Sequence, residues 1–348
     1  MSLLKDKQCE LATRLDTEDF EDSEAILTGA NEPSGHLLPS VHVSELLAKN
    51  FPPRAMLLHP WLEERSSSMV YGRRGIGKSF LSLSIAIAVA GQRQFLDWRG
   101  EGKFGVLYVD GEMAADQLQQ RIKKLAGVDA ATLPMHFMAR DWYETGMPSL
   151  NDVQLRGAIE KEAARHSVKL VIIDNLSTLW RGAENEAESW DGMQEWIFRL
   201  RHRGHSVLLV HHAGKNGCQR GTSRKEDSLD VVVRLGNSAS DDATIGAAFN
   251  IEFEKTRAQL GDGARSFYAR LRETRALGLE AWERSAVKLD TEVDEIVASV
   301  KAGKTQKEIA AQRGVHPSTV SRAVKKARDE GLLPDSEAGE SPEEAPTN

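Results

Sequence analysis

Cysteine is almost missing from this sequence. Two residues, Cys9 and Cys218, stand far apart in a chain of 348, so a structural disulfide is not expected and no cysteines share metal-ligand spacing. Such usage is expected of a reducing cytoplasm. Long apolar runs are missing too. The most apolar, Phe80 to Ala90, spans 11 residues and is interrupted by Ser82 and Ser84. It is too short for a bilayer, and no membrane partner is expected. The N-terminus lacks the basic-then-apolar pattern of an export signal. No internal repeat is visible.

What is present is a globular composition, 40% hydrophobic and 28% charged. The length allows one large domain and a small one. The formal charge of −7 hides an uneven spread. Residues 16 to 24 hold six acidic side chains and no basic one, whereas residues 301 to 328 hold eight Lys or Arg and one Glu. A solvated acidic segment at the front and a polyanion-binding patch at the rear are expected.

One stretch organises the rest, Gly72-Arg73-Arg74-Gly75-Ile76-Gly77-Lys78-Ser79, with Phe80 after it. This is a complete G-x-x-x-x-G-K-S phosphate loop. Its glycines let the backbone curl so that amides point at phosphate oxygens, and the helix that starts near Lys78 adds its positive end. Lys78 is expected at the β- and γ-phosphates and the Ser79 hydroxyl on Mg²⁺. ATP and Mg²⁺ are therefore the expected cofactors. Ser68 to Tyr71 reads as a strand entering the loop, and Ser79 to Ala90 as a buried helix leaving it.

A second metal-holding carboxylate is found about 95 residues on, where the apolar run Leu170 to Ile173 ends in Asp174. A strand that delivers an Asp at its carboxyl edge is the Walker B arrangement. Hydrolysis also needs a group that orients and deprotonates water. The strand Val106 to Val109 leads into Asp110-Gly111-Glu112; Glu112 is the candidate base, Asp110 the alternative, and either could instead cap the helix expected at 114–126. The strand Ser206 to Val210 runs into His211-His212, and His211 is the candidate that senses the γ-phosphate. The glycine- and base-rich loop from Gly214 to Lys225 has too little apolar content to pack; its Lys215 and Arg224 are candidate DNA contacts. Lys255 and Arg257 alternate along a strand end and so share a face. They could reach the γ-phosphate of a neighbouring subunit, and Arg220 competes for that role.

From Met69 to about 284 strand-like and helix-like runs alternate. Nine strands are expected, the last three without intervening helices and therefore antiparallel. Four domains follow: residues 1–40, an acidic, mostly disordered segment; 41–285, an ATPase domain; 286–334, a small helical domain; and 335–348, an acidic disordered tail. A short helix over 41–50 is expected to be capped by Ser44. Near the end, Thr305 to Val324 reads as a helix-turn-helix. Thr305 and Glu308 form a capping box, Gly314 allows the turn, and Pro317 opens the second helix. Pro317, Ser318, Thr319, Ser321, Arg322 and Lys325 are the candidate DNA contacts, and the net charge of +7 over 301–328 favours DNA.

The order of these motifs resembles the RecA-like ATPases, and most the RepA-type plasmid replicative helicases and their AAA-family relatives. The likeness covers about residues 51 to 273. It rests on Gly72–Ser79, Leu107 to Glu112, Ile172 to Leu176, Val210 to Lys215 and Arg220-Gly221-Thr222-Ser223. It implies a RecA-like P-loop α/β fold, a mostly parallel sheet extended by antiparallel strands. It also implies a hexameric ring with ATP at subunit interfaces and DNA in the channel, Glu112 as base and Arg220 as arginine finger in trans. Lys255-Thr256-Arg257 is instead similar to the finger of DnaB-type helicases. The departure is the C-terminal segment, which resembles bacterial helix-turn-helix regulators over roughly 30 residues and is not expected in a plasmid helicase.

Overall fold

The computed structural model describes residues 40–180, 187–214, 224–236, 247–257, 260–272, 278–287, 291–329 and 333. The acidic segment before residue 40, the tail after Leu333 and most of the loop between Gly214 and Arg224, with Lys215 and Arg220, lie outside them. The chain divides into two units at Pro53–Arg54. In the first, α1 (Val43–Ala48) is exposed along its whole length. Its cap is His42 rather than Ser44: the His42 ring accepts the Ser44 amide, because a residue at the cap must lie outside the helix.

The second unit opens with short strands β1 (Met56–His59) and β2 (Leu62–Glu63), then β3 (Ser67–Gly72) and helix α2 (Lys78–Gly91). After β4 (Gln94–Phe95) and β5 (Trp98–Gly100) come β6 (Gly105–Asp110), α3 (Ala115–Ala126), β7 (Met135–Ala139) and α4 (Val153–Arg165). β8 (Val168–Asp174), α5 (Leu176–Leu179), α6 (Ala187–His202), β9 (Ser206–His212) and α7 (Arg224–Asp227) follow. The domain ends in β10 (Val231–Gly236), β11 (Ala248–Thr256), β12 (Phe267–Leu271) and β13 (Trp282–Ser285).

Nine strands form one sheet in the order β13-β12-β11-β10-β3-β9-β8-β6-β7. The run from β10 to β7 is parallel, and β11, β12 and β13 extend it antiparallel. All nine expected strands are there. Continuous apolar strands form the centre because both faces are covered, and alternation sends each side chain to one of two cores. Val70, Tyr108, Ile172, Leu208 and Val210 face α2 and the small sheet. Met69, Val109, Val171, Ile173 and Leu209 face α4 and α6, whose Trp196 and Leu200 are buried. Among the described residues no helix is long and apolar enough to cross a membrane.

A four-stranded sheet, β2-β1-β5-β4, was not legible in the sequence. Its strands run two to four residues, too short for periodicity to register. It carries Trp61 and Trp98, edge to face with centroids 5.3 Å apart, into the core. Gly100 at its end lies against α2 so closely that a Cβ would stand 2.1 Å from the Ala88 carbonyl oxygen.

Helices α8 (Thr291–Lys301), α9 (Gln306–Arg313) and α10 (Pro317–Asp329) close around their own apolar core of Ile296, Ile309, Val320, Val324 and Ala327. Thr305 and Glu308 exchange the two hydrogen bonds of a capping box, and Gly314 ends α9 at φ 64°.

Gly100→Ala should cost about 3 kcal/mol of stability, because backbone rather than a movable side chain meets the new methyl group. Urea unfolding checks this; a midpoint equal to wild type would show that the small sheet can move away.

Candidate functional site

Strand alternation puts three polar side chains in phase. Asp110 follows Val106 and Tyr108 on β6, Asp174 follows Leu170 and Ile172 on β8, and His212 follows Leu208 and Val210 on β9. Each therefore emerges on the face that α2 covers, at the carboxyl edge of the sheet. Asp110 and Asp174 are direct cross-strand partners, and His212 is the partner of Gly72. They line a cleft of about 360 Å³ with Arg74, Gly75, Gly77, Lys78, Ser79, Phe80 and Glu112.

The loop between β3 and α2 turns at Gly75 (φ 77°) and Gly77 (φ 106°), where a Cβ would be strained. Lys78 is 6% exposed and folds back on its own loop, its Nζ donating to the carbonyls of Gly72 (3.1 Å) and Arg73 (2.8 Å). Burial pushes its ammonium down to about 8, against the attraction of Asp174 and Glu112. Of the other loop residues named from sequence, Gly72, Arg73 and Ile76 form the loop itself, and the rest line the cleft.

Asp174, 3% exposed, is the floor. Tyr108 donates its hydroxyl to Asp174 Oδ2, Ser82 does so at 3.2 Å, and the Ser79 side chain is bonded to the same carboxylate. Ser82 and the Tyr108 hydroxyl also lie 2.8 Å apart. Burial raises the Asp174 pKa, and these donors, Tyr108 first, pull it back. Neither Tyr108 nor Ser82 was picked out from sequence. Both were available to it: Tyr108 is two residues before Asp110 on the same strand face, and Ser82 stands one helical turn after Ser79.

Asp110 and Glu112 do not cap α3. Asp141 does, accepting the Ala115 amide at 3.0 Å. Asp110 Oδ1 instead accepts the amides of Glu112 (3.0 Å) and Met113 (2.6 Å) and so shapes the turn that projects Glu112. The Glu112 side chain is 61% exposed, with Oε2 accepting from Asn175 Nδ2 and 4.0 Å from His212 Nε2. Asn175 is in turn fixed by its Oδ1, which accepts the Thr178 amide at the start of α5.

His211 does not line the cleft. One residue earlier on β9 means the opposite face of the sheet, where its ring meets the Ser177 hydroxyl at 3.2 Å. His212 takes the position expected of it. Lys255 ends β11 with Thr256, just past a register shift that breaks the strict alternation, and Arg257 follows the strand; β11 runs antiparallel, which carries both to the sheet edge opposite Gly72. There Lys255 donates to the Glu226 carbonyl and Arg257 to that of Asp227, with Arg257 Nε 3.9 Å from Asp230. Neither reaches the cleft of its own chain. Lys215 and Arg220 lie outside the described residues; Arg224 begins α7. On α10, Ser318, Ser321, Arg322 and Lys325 form one exposed stripe beside exposed Pro317, and Thr319 is half-buried. Missed from sequence was Arg121 of α3, whose guanidinium lies 4.5 Å above the Phe80 ring at the cleft wall.

A cleft with a lysine, inward-curled backbone, a helix start and two buried carboxylates can hold an anion together with a cation. Among the described residues no three His, Cys, Asp or Glu form a ready metal cage, so a cation here would need a bound anion to complete its shell. The hydrogen-bonded Ser79–Asp174 pair fits hydrated Mg²⁺ in that way.

The family model described as AAA domain matches residues 31–218. A search of curated proteins finds no match. Among solved structures the chain is similar to the flagellar accessory protein FlaH of Methanocaldococcus jannaschii, with 11% identity and TM-score 0.45, covering 64% of this chain and 91% of that one. It is also similar to a KaiC-like protein of Pyrococcus horikoshii, with 11% identity and TM-score 0.49, covering 67% and 99%.

Anion binding in the cleft should weaken by up to tenfold per pH unit above about 8, since the ammonium that greets the anion is then lost. Below 8 the charge is present and affinity levels off. Calorimetric titration of a nucleoside triphosphate from pH 7 to 9.5 measures it. Lys78→Arg should abolish the fall, because a guanidinium stays charged.

Proposed function

The chain belongs to the AAA domain family, and from that premise we propose that it is a RecA-like P-loop ATPase that acts on DNA. The observation that carries the ATPase reading is the convergence of Lys78, Ser79, Asp174 and Glu112 on one cleft at the carboxyl edge of a parallel sheet. In this reading Lys78 leaves the Gly72 and Arg73 carbonyls for the β- and γ-phosphates. Ser79 and Asp174 hold Mg²⁺, which neutralises phosphate charge when bound. Glu112 takes the proton of the attacking water, and Asn175 with His212 sets where its carboxylate points. Arg121 and Phe80 offer a flat face to a base at the cleft wall.

The favoured role is a replicative helicase or replication-initiation ATPase of a plasmid, phage or integrated element, working as a hexameric ring. The place of Lys255 and Arg257 supports assembly: at the edge opposite the phosphate loop they can serve a nucleotide only across a subunit boundary. Arg220 is the other candidate finger, and Lys215 and Arg224 are proposed to meet DNA in the channel. The exposed stripe on α10 supports a helix-turn-helix that docks in a major groove with Pro317, Ser318, Thr319, Ser321, Arg322 and Lys325. That stripe also favours a second reading, a regulator that uses ATP to assemble on a specific site without unwinding it. A footprint lost on deleting residues 304–348, with no strand displacement, decides for the regulator.

Lys78→Ala should abolish DNA-stimulated ATP hydrolysis. Glu112→Gln should lower turnover by roughly 100-fold or more while nucleotide binding persists. Turnover equal to wild type in Lys78→Ala would sink the enzyme reading.

Arg322→Ala with Lys325→Ala should weaken duplex binding and lower the slope of log affinity against log salt by about 2. An unchanged slope would exclude α10 as the docking helix.

A further inference from the structure

Asp110 has half of its carboxylate unexplained. It is 1% exposed. Oδ1 is used twice, by the amides of Glu112 and Met113. Oδ2 is buried and has no hydrogen-bond partner among the described residues. A buried carboxylate oxygen without a donor is costly. The cost is compounded here by the direct cross-strand partner, Asp174, a second buried carboxylate. Asp174 has three donors around it; Asp110 Oδ2 has none of them. Burial, and after it repulsion from Asp174, pushes Asp110 up to about 6. Lys78 attracts Asp174, whereas Asp110 Oδ2, on the same wall of the cleft, keeps no donor among the described residues.

We infer that Asp110 is a second carboxylate for the cation of this cleft, contacting its bound water through Oδ2 while Oδ1 holds the Glu112 turn. The inference rests on the proposed Mg²⁺-nucleotide site and adds a residue to it. It makes Asp110 a positioning residue of a particular kind. One carboxyl group ties cation occupancy to the backbone that aims the candidate base, so a bound cation that draws on Oδ2 also stiffens the turn at Oδ1. The arrangement depends on the strand–Asp–Gly–Glu spacing. Two residues is the distance at which a strand-end carboxylate can take the amides of the turn beyond it.

The test is Mn²⁺ affinity of the full chain, read by electron paramagnetic resonance in the presence of a non-hydrolysable ATP analogue. Asp110→Asn keeps an oxygen for both amides and removes the charge from the second position. It should weaken Mn²⁺ by about tenfold, the size of loss typical for residues behind a metal's direct ligands. Analogue binding in EDTA should be unchanged or tighter, which a merely unfolded or distorted turn would not allow. Asp110→Ser, smaller and still an acceptor, is the second variant should the first not fold, and is expected to show the same loss. Mn²⁺ affinity within twofold of wild type in a folded variant overturns the inference. Failure of the wild-type protein to bind Mn²⁺ with the analogue would instead overturn the nucleotide reading of the cleft.

Discussion

Asp174 is the point on which the cleft depends. A carboxylate this deeply buried would ordinarily be expelled or neutralised. Burial raises its pKa, and Tyr108, Ser79 and Ser82 offset part of that rise with hydroxyl donors from two different elements. Those donors fasten β6 and α2 to the end of β8. The phosphate loop is therefore positioned by more than its own sequence: its helix is registered against the strand that delivers the Asp. Ser84, two residues further along α2, accepts from Trp282 and registers the same helix against β13. The serines that interrupt the apolar run are thus its points of attachment.

This explains why so much of the fold was legible. Strands such as Leu170 to Ile173 are apolar at every position because two cores need them, and such runs stand out in any sequence. The phosphate loop and the strand–Asp pairing stand out for a chemical reason, since few residue types can do their work. The small sheet is not legible because its strands are too short for periodicity, although Trp98 of β5 and Trp61 between β1 and β2 pack edge to face with each other and with Phe253, and Trp98 also with Phe95. The cap of α1 was misplaced by two residues: Ser44 is a strong cap type, but His42 stands where a cap must be.

The misassignment between His211 and His212 has a sharper cause. Two adjacent histidines at a strand end are chemically equivalent in sequence, and only the phase of the strand separates them. That phase was readable: Leu208 and Val210 are even-numbered, as is His212, and the even positions of β9 face α2. A single-residue error in phase moves a side chain through the sheet. Tyr108 was lost in a related way. It sits within an apolar run and reads as packing, but it shares phase with Asp110 and its hydroxyl needs a partner when buried.

Glu112 stands apart from this rigid floor. Its side chain is mostly exposed, while its backbone is held by Asp110 and its carboxylate by Asn175. Asn175 is also bonded into the first turn of α5, so the carboxylate is tied to the segment that follows β8. His212, near the same carboxylate, ends β9, and the chain beyond it runs into the basic loop. The Glu112 side chain and backbone are thus linked to three different strand ends, whereas the Asp174 carboxylate is bonded to Tyr108, Ser82 and Ser79 and its carbonyl accepts the Gly111 amide at 2.8 Å. The buried carboxylate on the cleft floor is thus fastened by hydroxyls of β6 and α2, and the exposed one beside it by the residues that end or follow β8 and β9.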